Sequence, residues 1–229
     1  MITRWTISAA VGGLRSALLA LMVALAGATP SQAQQFSADL VRTHNGVTTA
    51  AGRLYVSGSK VRIESPEFPD GFFLIDSAEP VAYFVQPAHA VFMDARQSTA
   101  LTRLFVPVDA DNPCRQWQVM AGVAGLAEQG DWRCEAAGLD MIGVHQAMVF
   151  RATPATGRAF TGWIDRSRRF PLQVRTDDGA IVTTQGIRDE QQPARLFELP
   201  KGAHKFDPQS LIEQIKKSDV WVDSPRLAP

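Results

Sequence analysis

Four histidines, two cysteines, two acid pairs and one arginine run are the side chains whose types could do chemistry. His44, His89, His145 and His204 fall in four separate segments. None has a second histidine or a carboxylate at metal-ligand spacing, so neither a metal site nor a cofactor is expected. The chain carries no G-x-S-x-G, no H-E-x-x-H, no phosphate-binding G-x-x-x-x-G-K and no dinucleotide glycine fingerprint. Asp177-Asp178 and Asp189-Glu190 are paired acids of the kind acid–base catalysis uses. They fall in a hairpin turn and a loop, where solvated turns account for them. Arg166, Arg168 and Arg169 lie between two expected strands. They could meet a phosphate headgroup or an acidic partner, and a plain exposed loop is the simpler reading. No catalytic residue emerges, and the expectation is a protein that is not an enzyme.

Cys114 and Cys134 are the only cysteines. Their meaning depends on the compartment, and the N-terminus bears on that. Arg4 and Arg15 precede an apolar run from Ala17 to Ala28, followed by Thr29-Pro30-Ser31-Gln32-Ala33. A basic stretch, a short apolar stretch and a small-x-small site make an export signal, with cleavage expected after Ala33. The run is shorter than the about 20 apolar residues that span a bilayer. Residues 1–33 are therefore read as a signal peptide, and the mature chain as periplasmic with no transmembrane segment. In an oxidising compartment an even cysteine count reads as a disulfide. It would close a loop of about 20 residues, worth roughly 3 kcal/mol in the chain-entropy account. The alternative, a pair of metal-binding thiols, lacks a nearby histidine. The whole chain has 23 basic and 23 acidic residues. Loss of Arg4 and Arg15 leaves it slightly acidic, without the broad positive field that nucleic acid attracts.

The elements that would position these residues are mostly strands. Leu54 and Val56 alternate with Arg53 and Tyr55, and Val61 and Ile63 alternate with Lys60, Arg62 and Glu64. Period two with one polar face describes a half-exposed strand. Gly58, in Ser57-Gly58-Ser59, is free to take the positive φ of a tight turn. Three runs, Phe72–Ile75, Val81–Val85 and Ala90–Met93, are apolar on both faces. Such strands must be covered on both sides, by helices or by a ligand. Asn112-Pro113 opens an expected helix that places Trp117, Met120, Ala121 and Ala124 on one side. Strands are expected again at Ala147–Phe150, Ala159–Asp165, Phe170–Arg175, Ile181–Thr184 and Leu196–Pro200. Asp178-Gly179 is expected to form a type I′ turn. Asp207-Pro208 begins a C-terminal helix bearing Leu211, Ile212 and Ile215, with Lys216 and Lys217 near its end and Trp221 in the tail.

The opening Gly52-Arg53-Leu54-Tyr55-Val56 followed by Lys60-Val61-Arg62-Ile63-Glu64 resembles the LolA/LolB lipoprotein-carrier superfamily. The later segments resemble an uncharacterised proteobacterial periplasmic branch with that fold. They are Asn112-Pro113-Cys114-Arg115-Gln116-Trp117, Cys134 with Gly138 and Gly143, Trp163-Ile164-Asp165, Phe170-Pro171-Leu172 and the stretch Pro193 to Pro200. The resemblance implies an α+β protein, mostly antiparallel, an incomplete β-barrel whose concave face helices cover. Residues 34–206 would form that half-barrel and 207–229 the C-terminal helix and tail. In the carriers the apolar cavity holds lipid chains. The expected function is thus a non-enzymatic binding or carrier protein for lipid or another hydrophobic ligand. The candidate ligand-binding residues are Leu54, Val56, Ile63, Phe73, Phe84, Phe92, Phe150 and Trp163. The rival expectation is an interaction module for an envelope protein, its cavity filled by its own side chains.

Overall fold

The computed structural model describes residues 34–95, 99–126 and 130–208. All the described residues belong to one compact unit that starts at Gln34. The expected signal peptide and C-terminal helix lie outside the described residues. No helix among the described residues is long and apolar enough to cross a membrane.

Twelve strands among the described residues form one sheet. The first six are β1 (Gln35–His44), β2 (Val47–Ser57), β3 (Lys60–Glu64), β4 (Phe72–Asp76), β5 (Val81–Gln86) and β6 (Val91–Asp94). Two helices follow, α1 (Leu101–Leu104) and α2 (Pro113–Val123). Then come β7 (Arg133–Ile142), β8 (His145–Thr153), β9 (Phe160–Asp165), β10 (Phe170–Thr176), β11 (Ile181–Arg188) and β12 (His204–Lys205). The order across the sheet is β12-β6-β5-β4-β3-β2-β1-β11-β10-β9-β8-β7. Two antiparallel meanders therefore join along one seam, where β1 pairs with β11. Only β12 runs parallel to its neighbour, β6. The sheet ends at β7 and β12 and does not close.

Turn chemistry explains the hairpins. Asn45 and Gly46 both have positive φ (51° and 76°) and connect β1 to β2 as a two-residue turn. That is the geometry an Asn-Gly pair favours. Gly58 has the expected positive φ of 60°. The Asp178-Gly179 turn differs from the expected type I′, because only Gly179 has positive φ (81°). Asp178 instead keeps a negative φ and closes the loop with its side chain, Oδ1 accepting from Thr176 Oγ1 at 2.5 Å and Ala180 N at 3.2 Å. A carboxylate that builds its own turn removes the need for a second left-handed residue.

Helix α2 begins as read, with Asn112 at the N-cap and Pro113 in its first turn. Trp117, Met120, Ala121 and Ala124 are all buried. Trp117 and Met120 belong to the main core cluster together with Phe36, Leu54, Ile63, Phe73 and Phe150. Cys114 and Cys134 form a disulfide joining the first turn of α2 to β7. Gly162 on β9 gives Trp117 its seat. A Cβ there would stand 2.5 Å from the indole Cη2.

The doubly apolar reading holds best for β4. Phe73 and Ile75 enter the main cluster, while Phe72 and Leu74 form a second cluster with Val85. β6 is only half-buried. The chain itself covers the second side. The Arg62 guanidinium lies 3.4 Å over the Phe72 ring, and its Nη1 donates to Leu196 O at 3.4 Å. The expected strand at Leu196–Pro200 is instead a 3-10 turn, Ala194–Phe197, followed by extended chain. The segment lies against β3 to β5, next to Lys60, Leu74 and Tyr83, instead of pairing along a free edge. Pro193 and Pro200 bracket it and donate no hydrogen bond. Strand β7, by contrast, was not expected. Its sequence, Arg-Cys-Glu-Ala-Ala-Gly-Leu-Asp-Met-Ile, lacks a strict apolar alternation because it is a mostly exposed edge strand.

Candidate ligand-binding cleft

The short helix α1 borders two open spaces. The first is a cleft of about 470 Å³, within the roughly 300–1,000 Å³ typical of small-molecule pockets. Its apolar lining is Leu104, Trp117, Ala121, Leu126, Trp132 and Phe160. Polar groups contributed by α1, the β8–β9 loop and the β10–β11 hairpin also line it: Arg103, Thr156, Arg158, Thr176 and Asp178. The second cleft holds about 270 Å³. Leu101, Phe105, Val174 and Val182 give it an apolar wall, and Arg42 and Glu67 are its other charged residues. Ala100, Leu104, Thr176 and Asp178 line both spaces.

The aromatic wall of the first cleft is fixed by its own hydrogen bonds and ring contacts. Trp117 Nε1 donates to Leu104 O at 3.0 Å, tying α2 to α1. The Trp117 and Phe160 rings meet edge to face at 5.0 Å, and Trp132 meets Phe160 in the same way at 5.9 Å. Edge-to-face contacts of this kind fix ring orientation as well as burying area. The Trp132 Nε1 is buried and has no hydrogen-bond partner among the described residues, as is His44 Nδ1.

Among the described residues, Asp178 is the one acid lining the first cleft. Its carboxyl is held below the usual carboxylate value, first by the Thr176 hydroxyl and then by the Ala180 amide. The charges of His44 and Arg158 lower it further. A carboxylate stabilised in this way is a poor proton acceptor. Neither cleft is lined by Ser, Cys, His or Lys among the described residues.

The eight residues named from sequence fall into three groups. Leu54, Val56, Ile63, Phe73 and Phe150 are buried in the main cluster, and Phe84 packs against it. Trp163 lies in a separate cluster with Ala147, Val149 and Leu172, its Nε1 donating to Asp140 Oδ2 at 2.9 Å. Phe92 packs in the cluster of Phe72, Leu74 and Val85. None of the eight lines either cleft. The cleft residues that sequence reasoning missed, Leu104, Leu126, Trp132 and Arg158, sit on a one-turn helix or in loops. No periodicity marks them there. The Pro-Ala-Thr-Gly-Arg run from Pro154 was the available turn signal.

The other chemical candidates are structural. Asp165 Oδ1 accepts from Ser167 N, Ser167 Oγ and Arg168 N at 2.8, 2.6 and 3.1 Å. Its Oδ2 takes Arg168 Nη1 at 2.7 Å. Arg168 also grips Asp189 with Nε and Nη2. Arg168 is thus a half-buried clasp within the arginine run, while Arg166 pairs with Asp111 at 2.6 Å. Among the described residues no three metal-ligating side chains gather.

No family model and no curated protein matches the chain. Among solved structures it is similar to an uncharacterised conserved protein of Thermus thermophilus. The identity is 11%, the match covers 82% of this chain and 98% of that one, and the TM-score is 0.46. MucB, which is also known in complex with MucA(peri), is 12–13% identical. The match covers 76% of this chain and 60% of the MucB chain, with a TM-score of 0.41. A LolA superfamily protein of Nitrosomonas europaea is 10% identical, with 74% and 91% covered and a TM-score of 0.34. One of these neighbours carries the name of the LolA superfamily, which the sequence resembles. The likeness is one of fold alone.

Proposed function

We propose that this chain is a non-enzymatic periplasmic binding or carrier protein, and that it holds a hydrophobic guest in the paired clefts beside α1. The observation that carries the reading is the first cleft: an open space of about 470 Å³ lined by Trp117, Trp132, Phe160, Leu104 and Leu126. An unclosed antiparallel sheet with α2 packed against its core supports a half-barrel in which the helix covers the inner face. The residues named from sequence, Leu54 to Phe150, then serve as the packed layer that fixes the position of α2. Trp163 and Phe92 brace the opposite side. The disulfide fits an oxidising compartment.

Native mass spectrometry after gentle purification should find a co-purified lipid or fatty acid. An apolar fluorescent probe, 1-N-phenylnaphthylamine, should bind the emptied protein. Ala100 is exposed and lines both clefts. Ala100→Trp should reduce probe uptake at least several-fold with little change in melting temperature. A ligand-free protein that takes up no probe rules the reading out.

A second reading, an interaction module for an envelope protein, is favoured by a different observation. The β7–β8 hairpin exposes Leu139 (65%) and Met141 (54%) on the edge strand β7 and Val144 (86%) in the turn. Exposed apolar side chains beside unpaired strand amides are suited to a protein contact. Cross-linking in cells would recover one main partner under this reading, and Leu139→Lys with Met141→Lys would abolish it.

A further inference from the structure

Strand β7 ends the sheet with one ladder partner, β8, among the described residues. The pair Ile142↔His145 closes the hairpin around Gly143-Val144, and the ladder continues through Asp140↔Ala147 and Gly138↔Val149. Hydrogen-bonded pairs alternate with open pairs in an antiparallel ladder, and a two-residue turn is closed by a bonded pair. Asp140 and Gly138 therefore turn their backbone groups toward β8, while Leu139 and Met141 turn theirs outward. The Leu139 and Met141 side chains are exposed as well. An edge of this kind is a template for another strand.

The outward amide of Met141 is already taken. Asp140 Oδ1 accepts from Met141 N at 2.8 Å, and Trp163 Nε1 on β9 holds Oδ2 of the same carboxylate at 2.9 Å. The indole first and the amide second keep this carboxyl below its usual value, so it stays charged and accepting at neutral pH. Beside it the ladder slips between Ala136 and Gly138, where Gly138 has a φ of 106°. A charged side chain and a bulge are two means of keeping an edge from pairing. At the opposite end of the sheet β12 is two residues long, and so short an edge leaves little to pair with.

We propose that Asp140 is a guard residue that keeps the β7 edge from pairing with the β7 edge of a second copy of this chain. A second copy is the strand that fits. A two-fold antiparallel pairing sets Leu139 against Met141 of the second copy, and Met141 against its Leu139. Both outward backbone pairs and both apolar cross-strand contacts are then made twice over. The same register puts Asp140 opposite Asp140 of the second copy in an open pair, where Cα atoms stand about 4.5 Å apart. Two carboxylates would face each other there, and each would have to release Met141 N. Asp140 therefore opposes pairing both as a cap and as a charge. This inference does not depend on what the clefts bind.

Sedimentation velocity over a wide range of protein concentration tests it. The unaltered protein is expected to stay monomeric. Asp140→Ala removes cap and charge together and should form dimers at a concentration at least about tenfold below any at which the unaltered protein associates. Asp140→Asn removes the charge and keeps one acceptor oxygen, so it should fall between the two. Adding Leu139→Lys to Asp140→Ala places a lysine on the edge and should restore the monomer. In the Asp140→Ala dimer the amides of Leu139 and Met141 should exchange more slowly with solvent than in the unaltered protein. Circular dichroism and melting temperature check that each variant is folded. If Asp140→Ala unfolds for want of a partner for Trp163, the Asn variant decides: association above that of the unaltered protein supports the guard, and equal association overturns it. A folded, monomeric Asp140→Ala also overturns it. So do dimers that survive Leu139→Lys, open-ended oligomers, or an unaltered protein that is already a dimer through β7.

Discussion

Trp117 rests on the bare backbone of Gly162, and the two positions are expected to behave as one unit. Gly162→Ala would force a methyl to within 2.5 Å of the indole and should cost about 1–3 kcal/mol through overpacking. Trp117→Leu should cost about 3 kcal/mol or more by opening a cavity and freeing Leu104 O. The double variant should be less unstable than the sum of the two, since the smaller side chain makes room for the new methyl. Strict additivity in urea unfolding would show that the seat is unimportant. At Asp165, burial opposes ionisation but is outweighed by the Ser167 hydroxyl, the Arg168 amide and the Arg168 guanidinium, so its carboxyl sits below the ordinary value. The native state therefore binds this proton less readily than the unfolded chain. The clasp contributes its full stability above the unfolded value of about 3.9 and loses it as pH falls through the lower folded value. Asp165→Asn should lower the melting temperature at pH 7 and flatten its fall below about pH 4. An unchanged acid profile would show that other carboxylates set it.

At the scale of elements, the disulfide is the feature easiest to perturb. It ties α2 to the edge strand β7 across 20 positions. Its loss should cost about 3 kcal/mol, or about 6–12 °C in a chain of this size. Reductant and Cys114→Ser should produce the same shift, and an identical melting temperature with and without reductant would count against the bridge. Elements with a strong local pattern were legible in the sequence. Asn112-Pro113 and the spacing of Trp117, Met120 and Ala121 predict α2 because an amphipathic helix repeats over several turns. β2, β3 and β4 carry alternation or dense apolar runs. β7 has neither, since an exposed edge strand buries too little to need a pattern. The stretch from Leu196 to Pro200 reads as a strand by composition. Its course across β3 to β5 depends on Arg62, 134 positions earlier, and no local signal records that.

For the molecule as a whole, the sheet has a protected middle and an exposed end. β1 is paired on both sides along most of its length, whereas β7 has a single neighbour, β8, and mostly exposed residues. Amides of Leu40 and Val41 should exchange with solvent far more slowly than those of Gly138 and Leu139, and hydrogen-exchange mass spectrometry would reveal the opposite order if the seam were weak. The candidate cleft was the least legible feature at this scale. Leu104, Trp132, Phe160 and Arg158 meet only after three separate connections have folded back on one another. The seam between the two meanders has one more consequence. Ser37, near the start of the described chain, donates to Glu190, 153 positions later. The first of the described strands must therefore wait for one of the last before its second edge is satisfied. Such long-range closure slows folding. A chain emerging from the ribosome would remain without its central join until β11 had emerged. During that interval β1 would present an open edge, which is the moment of greatest need for a holding chaperone.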